Sequence, residues 1–230
     1  MLTNTNGTII KLDSSKSFLD IREAFCFGEE IVGKILFQFR SYDKSRPKGQ
    51  KITQKVDFYM TLEDASFFAE IMKTGRIREL CVRANEKALA ENKGTSYCFG
   101  YQKFGGTASK KISRQLKLQV SDDGRLWIKA LEGPGIVESK GQIKPAYKDN
   151  DADSKIAMTL DEEQTKKIGL SIERSIRYFD IWNAQGIVAQ KTSAFHNNIK
   201  QNQETHIEPE DEIYSVPYED EYSQDIEERF

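Results

Sequence analysis

Apolar and polar residues follow two different periods along this chain. Alternation with a period of two predicts β-strands, and apolar residues three or four apart predict helices that bury one face. The helical pattern begins near Leu62, breaks around Gly75, continues over 76–92 and returns over 161–184. The predicted strands cover 7–12 or 17–26, then 31–42 and 51–60 in the first half, and 95–104, 114–121, 125–131 and the short run 155–157 in the second.

The two halves of the chain resemble each other. Residues 60–64, Met-Thr-Leu-Glu-Asp, recur as Met-Thr-Leu-Asp-Glu at 158–162, an offset of 98 residues. In each copy a threonine and an acid three residues later fit a capping box at a helix start, Thr61 with Asp64 and Thr159 with Glu162. Several antiparallel strands closed by a helix, twice over, predict an α+β domain over 1–189, with repeat units at about 8–92 and 94–189.

Composition argues against several classes of protein. No apolar run among the 230 residues is long enough to span a membrane, and the N-terminus has no signal-peptide pattern. The three cysteines, Cys26, Cys81 and Cys98, form no Cys-x-x-Cys pair. With only His196 and His206 besides, neither a metal site nor a histidine-based catalytic triad is expected. We therefore expect a cytoplasmic protein (host cytoplasm for a viral one) that is not an enzyme and has no metal or cofactor.

The near-neutral net charge of −2 conceals a division of the chain. Residues 204–230 contain eleven acids and one arginine, a net charge of −10, so residues 1–203 carry +8. A basic body with an acidic tail is typical of nucleic-acid binders that also have an interaction segment. So charged a tail is expected to be disordered, and the Asn- and Gln-rich stretch 190–203 is expected to be a flexible linker.

The end of the tail carries a more specific pattern than its charge. It reads Asp225, Ile226, Glu227, Glu228, Arg229, Phe230, an acidic strip followed by an aromatic residue. This resembles the C-terminal tails of bacterial and phage single-stranded DNA-binding proteins, although Arg229 replaces the usual proline. The resemblance implies that Asp225, Ile226, Glu227, Glu228 and Phe230 bind partner proteins of replication or recombination.

Two predicted strands carry aromatic and basic side chains suited to nucleic acid. Single-strand binders combine stacking rings with cations along the backbone path. Strand alternation places Tyr97, Phe99, Tyr101 and Lys103 on one face. In the strand 125–131, Leu126, Ile128 and Ala130 form an inward face. The residues expected to point outward together are Arg125, Trp127 and Lys129.

Basic loops are predicted to contact the phosphates. One cluster lies in and after a hairpin loop, and the other follows the flexible pair Gly105 and Gly106. The first consists of Lys44, Arg46, Lys48, Lys51 and Lys55. The second consists of Lys110, Lys111 and Arg114.

The order of elements resembles that of the Whirly and positive cofactor four group of single-stranded DNA-binding proteins. The resemblance covers roughly residues 8–190 and includes a helix start at 160–164, Leu-Asp-Glu-Glu-Gln. The first copy lacks this glutamine and has Ala65 and Ser66 instead. An OB-fold, the five-stranded barrel of many single-strand binders, is the alternative fold.

Together these features predict a non-catalytic protein that coats single-stranded DNA without sequence preference. Its setting would be replication or recombination, and its compact organisation suits a phage or other mobile element. No membrane partner is expected, while RNA binding and homo-oligomerisation stay open. A transcription or RNA-binding cofactor is one alternative function. A protein-interaction adapter whose tail mimics nucleic acid is another.

Overall fold

The computed structural model describes residues 7–27, 30–91, 99–121, 125–139 and 141–184. These residues form a mixed α+β structure with two antiparallel sheets and three helices. No helix in these ranges is both long and apolar enough to cross a membrane. The linker 190–203 and the tail 204–230 lie outside the described residues, so what was inferred about them stays a prediction.

The first sheet is a four-stranded meander in which sequence neighbours pair in order. Its strands are β1 (Thr8–Asp13), β2 (Ser17–Phe27), β3 (Glu30–Tyr42) and β4 (Ile52–Thr61). The sequence left β1 and β2 as alternatives, and both are strands. Period-two alternation gives this sheet one fully buried face. That face includes Leu19, Ile21, Ile35, Phe37, Phe39, Val56, Phe58 and Met60.

The second sheet repeats the meander and adds one short strand. Its strands are β5 (Tyr101–Thr107), β6 (Ile112–Val120), β7 (Leu126–Val137), β8 (Ile143–Pro145) and β9 (Ser154–Leu160). The first part of β7 pairs with β9 and its last three residues pair with β8. The sequence predicts that this strand ends at 131, which is wrong, because β7 continues to Val137. Pro134 lies where the partner changes from β9 to β8, a place where a missing N–H is tolerated.

Helix α1 (Leu62–Lys73) begins directly after β4, and α2 (Arg76–Ala90) follows at once. The predicted cap at Thr61 is confirmed, since its hydroxyl accepts a hydrogen bond from the N–H of Asp64 at 3.3 Å. The predicted break at Gly75 is also confirmed. Gly75 has φ = 73°, a left-handed conformation that favours glycine, and it separates the two helices.

Helix α3 (Glu162–Ala184) begins later than its sequence repeat predicts. The predicted capping pair of Thr159 and Glu162 is wrong, because Thr159 still belongs to β9. Asp161 and Gln164 form the box instead. Asp161 Oδ1 accepts from the N–H of Gln164 at 2.7 Å, and Gln164 Oε1 accepts from the N–H of Asp161 at 3.1 Å.

The structural repeat therefore has an offset of 100 residues rather than 98. Val56, Phe58 and Met60 on β4 correspond to Ile156, Met158 and Leu160 on β9, and all six are buried. The capping residues Thr61 and Asp161 correspond at the same offset. The helices obey it too, since an offset of 98 would match a buried residue of α1 with an exposed one of α3. The buried pairs are Ala65 with Thr165, Phe68 with Ile168, and Met72 with Ile172.

The two halves share one core. A single cluster of buried residues draws on both sheets and all three helices. Helices α1 and α3 cross closely at Gly169, where an added Cβ would lie 2.5 Å from the Lys73 nitrogen and 2.6 Å from the Ala69 carbonyl oxygen. The outer face of the second sheet is partly covered as well, since Ser113, Gln115 and Lys117 of β6 are buried and Tyr147 donates to the carbonyl oxygen of Ser113 at 3.2 Å.

Candidate nucleic-acid interface

The outward side of β6 and β7 presents aromatic and basic side chains together. Leu126, Ile128 and Ala130 are fully buried on the inner face, as their alternation predicts. Trp127 and Lys129 therefore point outward, and both are half-buried. We name the surface made by Phe99, Lys117, Gln119, Trp127 and Lys129 the Trp127 face.

Two lysines lie directly opposite each other in the centre of the Trp127 face. The antiparallel register pairs Lys117 on β6 with Lys129 on β7. Opposed like charges destabilise a strand pair. Asp149 forms an ion pair with Lys117, and the Phe99 ring lies 4.3 Å from the Lys117 ammonium. Lys117 is only 3% exposed, so Asp149 and Phe99 together hold a buried cation.

Lys129 lacks a carboxylate partner among the described residues. Its ammonium donates to Gln119 Oε1 at 2.9 Å and lies 6.0 Å from the centre of the Trp127 ring. Burial is the main cause that lowers the pKa of Lys129 from its usual value, and the charge of Lys155 lowers it further. Asp149 opposes this lowering, and Lys117 adds a smaller lowering effect. An approaching polyanion would reverse these effects, because it stabilises the charged ammonium.

Arg125 is exposed and directly precedes β7. The strand registers make it the counterpart of Lys34, since Leu126 pairs with Leu160 on β9 as Ile35 pairs with Met60 on β4. Each half of the molecule thus has a cation at the same outward position.

The predicted stacking ladder of 97–103 is wrong in part. Tyr101 and Lys103 do not share a face with Phe99, which lies before β5 and packs over Lys117. Tyr101 points inward, 5.3 Å from the Phe68 ring in an edge-to-face arrangement. Burial raises the pKa of Tyr101 well above its usual value. Tyr97 lies outside the described residues.

Lys103 faces the start of α1. Its ammonium donates to Asp64 Oδ1 at 2.6 Å. Asp64 also caps α1, so Lys103 fastens β5 to the helix start. Tyr101 and Lys103 lie on one face of the strand, as alternation predicts, but β5 begins only at Tyr101 and this face packs on the helix.

A second surface lies where the edge strands of the two sheets meet. A cleft of about 480 Å³ is bounded on the β4 side by Asp57 and Tyr59, with Lys34 of β3 beside them. On the other side lie Gly105 of β5 and Arg114 of β6. We name it the edge cleft. Phe58, Gly106 and Thr107 complete its lining.

Fixed ion pairs position the polar groups of the edge cleft. Arg114 Nε donates to Glu132, and Arg114 Nη1 donates to Thr107 Oγ1 at 3.3 Å. Arg40 Nη1 donates to Asp57 Oδ1 at 2.6 Å. Lys34 forms no ion pair with another described residue. The cleft therefore has both polar and apolar walls, and Arg114 is the cation that an ion pair holds in place.

The basic loop between β3 and β4 is exposed, and its predicted phosphate contacts stay a prediction. Lys44, Arg46 and Lys48 lie in the turn that joins β3 to β4. Arg46 Nε is 3.6 Å from Asp43 Oδ2, so part of its charge is compensated within the loop. Lys51 lies just before β4, half-buried, and Lys55 is exposed on the strand.

Lys110 and Lys111 occupy the tight turn between β5 and β6. Both are exposed, and neither forms an ion pair with another described residue. Arg114 follows on β6 but belongs to the edge cleft. The two predicted loop clusters are therefore separate features of the surface, one in each sheet.

Several residues of these surfaces were missed from the sequence, Asp57 and Gln119 among them, although strand alternation could have found Lys117 and Tyr59. Leu116 and Leu118 point inward, which places Lys117 outward. Phe58 and Met60 point inward, which places Tyr59 outward, and it is 38% exposed. Lys34 carries no local signal of its own, since only the tertiary arrangement brings it to the edge cleft.

The partner-binding residues expected at 225–230 lie outside the described residues. No protein-family profile matches the chain, and no curated protein is significantly similar to it in sequence. The functional argument therefore depends on the surfaces described above.

Proposed function

We propose that this protein binds single-stranded DNA without strong sequence preference. It coats the strand during replication or recombination and recruits partner proteins through its acidic tail. The observation that carries the proposal is the Trp127 face, where the half-buried Trp127 ring and the Lys129 ammonium point outward side by side. An aromatic ring stacks on any base and a lysine neutralises a phosphate, so this arrangement suits a strand whose bases are unpaired.

The order of elements supports a Whirly-like or positive-cofactor-four-like relationship. Each half of the chain is a four-strand antiparallel meander that leads directly into a helix, and β8 is the only addition among the described strands. The OB-fold alternative calls for one five-stranded barrel and no internal repeat. The correspondence at an offset of 100 residues favours the repeated unit.

The division of charge supports the same function. The strand-binding surfaces lie within the +8 body, and the −10 segment follows the last described helix along the chain. A basic body attracts polyanions, and an acidic segment is available for basic surfaces of other proteins.

A direct binding comparison tests the proposal. Fluorescently labelled thymidine oligonucleotide is titrated with the full chain, and unlabelled single-stranded DNA, duplex DNA and RNA of equal length compete. We expect single-stranded DNA to compete best and duplex DNA poorly, because paired bases expose no faces for stacking. Stronger competition by RNA would favour the RNA-binding cofactor instead. Binding of no nucleic acid would refute both functions.

A further inference from the structure

We propose that the edge cleft binds a guanine nucleotide. The inference rests on the proposed function, since it takes this nucleotide to be part of the bound strand. The cleft volume of about 480 Å³ falls within the usual range for small-ligand sites. Because the cleft lies between the edge strands of both sheets, it is separate from the outward surface of β6 and β7 that forms the Trp127 face.

The cations of the cleft, Lys34 and Arg114, are suited to bind a phosphate. Lys34 has no ion-pair partner among the described residues. Arg114 uses Nε and Nη1 within the protein, and no described hydrogen bond engages its Nη2. Arginine and lysine are the usual ligands of phosphate oxygens. A purely phosphate-binding groove would contain these cations and no carboxylate.

The carboxylate of Asp57 therefore indicates what the ligand contains besides a phosphate. Arg40 Nη1 holds Asp57 Oδ1 at 2.6 Å and also donates to the carbonyl oxygen of Phe39 at 2.9 Å, which fixes the pair. The Asp57 side chain remains 37% exposed, and no described hydrogen bond engages its Oδ2. A fixed acceptor among phosphate-binding cations calls for a ligand that brings hydrogen-bond donors as well as a phosphate.

Guanine meets this requirement better than the other bases. Its Watson–Crick edge carries N1–H and the N2 amino group side by side, so an ionised carboxylate accepts from both. Thymine has one N3–H between two carbonyl oxygens, which a carboxylate repels. In adenine and cytosine a ring nitrogen acceptor lies beside the amino group. Only guanine offers two adjacent donors to Asp57.

Tyr59 provides a stacking surface for the same base. Asp57 and Tyr59 are two residues apart on β4 and face the same side of the strand, about 6–7 Å apart along it. Tyr59 is 38% exposed at the cleft wall. A base that stacks on this ring therefore has its edge within reach of the carboxylate.

The test changes one base at a time in the bound strand. A thymidine oligonucleotide is compared with versions that carry a single central guanine, hypoxanthine or adenine. One guanine cannot form a quadruplex. We expect guanine to raise the affinity of the full chain by about tenfold, within the usual effect of a bidentate base contact. Hypoxanthine, which lacks the N2 amino group, should give a smaller gain, and adenine none.

Asp57→Asn tests the residue, and Asp13→Asn, an exposed acid at the end of β1, is the matched control. Asp57→Asn should abolish the guanine preference, so that strands with and without the central guanine bind this variant with equal affinity. Asp13→Asn should keep the preference. Because Asp57→Asn removes an ion pair, its melting temperature is measured as well. The base series on the unaltered protein decides the question even if this variant unfolds.

Titrations with free nucleotides show whether the cleft binds a guanine within a DNA strand or a free guanine nucleotide. Guanosine and thymidine monophosphates are titrated into the unaltered protein and Asp57→Asn. Equal affinity for strands with and without guanine overturns the inference and leaves the proposed function intact. Failure to bind any strand, together with binding of guanosine monophosphate that Asp57→Asn abolishes, refutes the proposed function and supports the guanine site.

Discussion

Lys117 and Lys129 lie directly opposite each other on β6 and β7, and only Lys117 has a carboxylate partner, Asp149, among the described residues. This juxtaposition is unfavourable for the free protein, since like charges on opposed strand positions repel. Lys117 is buried against Asp149 and Phe99, so a bound phosphate would offset the repulsion from the side of the half-buried Lys129. Part of the affinity for a polyanion should therefore come from a repulsion that already exists in the unbound fold.

The lowered pKa of Lys129 predicts a pH dependence of DNA binding. Its ammonium loses its proton below the usual lysine value of 10.5, and DNA favours the charged form. Affinity should therefore fall as the pH rises from neutral towards about 10. Lys129→Arg, which stays protonated, should lose less affinity over the same range. Fluorescence anisotropy against pH measures both, and parallel curves would contradict the assignment.

The lowered pKa of Lys129 also makes the stability of the fold depend on pH. Stability should rise with pH, whereas the DNA affinity should fall. Since the folded protein holds this proton less tightly than the unfolded chain, the contribution of Lys129 to stability rises with pH through the window below 10.5. Replacement by methionine should remove that contribution. Chemical denaturation of both proteins at neutral and alkaline pH gives the comparison.

Replacement of Trp127 by alanine should weaken binding of single-stranded DNA by about 1–3 kcal/mol, the usual effect of losing one stacked base. Tyr178→Ala is the matched control, because Tyr178 is an exposed aromatic residue on α3. It should bind normally. Normal binding by Trp127→Ala with a collapsed melting temperature would show that Trp127 serves packing instead.

Affinity should fall steeply with salt concentration. Each phosphate neutralised by the basic body releases counterions, so log K should decline with a slope of about −0.7 per phosphate against log salt. Titrations at several potassium chloride concentrations measure the slope. Lys110→Ala with Lys111→Ala should make it shallower if the β5–β6 turn contacts phosphates. A slope near zero would exclude phosphate contacts as the source of affinity.

Removal of residues 204–230 should raise DNA affinity, most clearly at low salt. This segment carries −10 and competes with DNA for the +8 body when the linker brings it near. A full-length chain with the eleven acids replaced by their amides separates charge from length, and should behave like the truncated one. Equal affinities of all three proteins at low salt would reject the competition.

Gly169→Ala should destabilise the fold by about 1–3 kcal/mol, since the new methyl group meets backbone atoms of α1 that cannot move aside. The better helix propensity of alanine offsets only part of this. Leu170→Ala is the control, because Leu170 is 49% exposed, and it should change stability by less than about 0.5 kcal/mol. Thermal unfolding of both variants decides. Equal stability would mean that the helices separate easily at Gly169.

Local pattern was sufficient for much of the secondary structure. The alternation of Leu126, Ile128 and Ala130 predicted a strand and its buried face, and the threonine at 61 predicted the start of α1. Such features depend only on neighbours within a few residues. Side chains alternate between the two faces of a strand and return to the same face of a helix with each turn, so the local sequence pattern shows them. The outward positions of Trp127 and Lys129 follow from the same alternation.

Register and partner choice were decided by the tertiary structure. The sequence motif repeats at an offset of 98 residues, whereas the buried positions of the two halves correspond at an offset of 100. The packing of the core decides where α3 begins, and this start is not evident from the repeated motif. Lys117 faces Lys129 through cross-strand register, and Asp57 and Gly105 line one cleft because the two sheets pack together. Residues far apart in the chain carry no local signal of their contact. The sequence by itself determined which side chains point outward, and only the packed sheets decided which of them lie together.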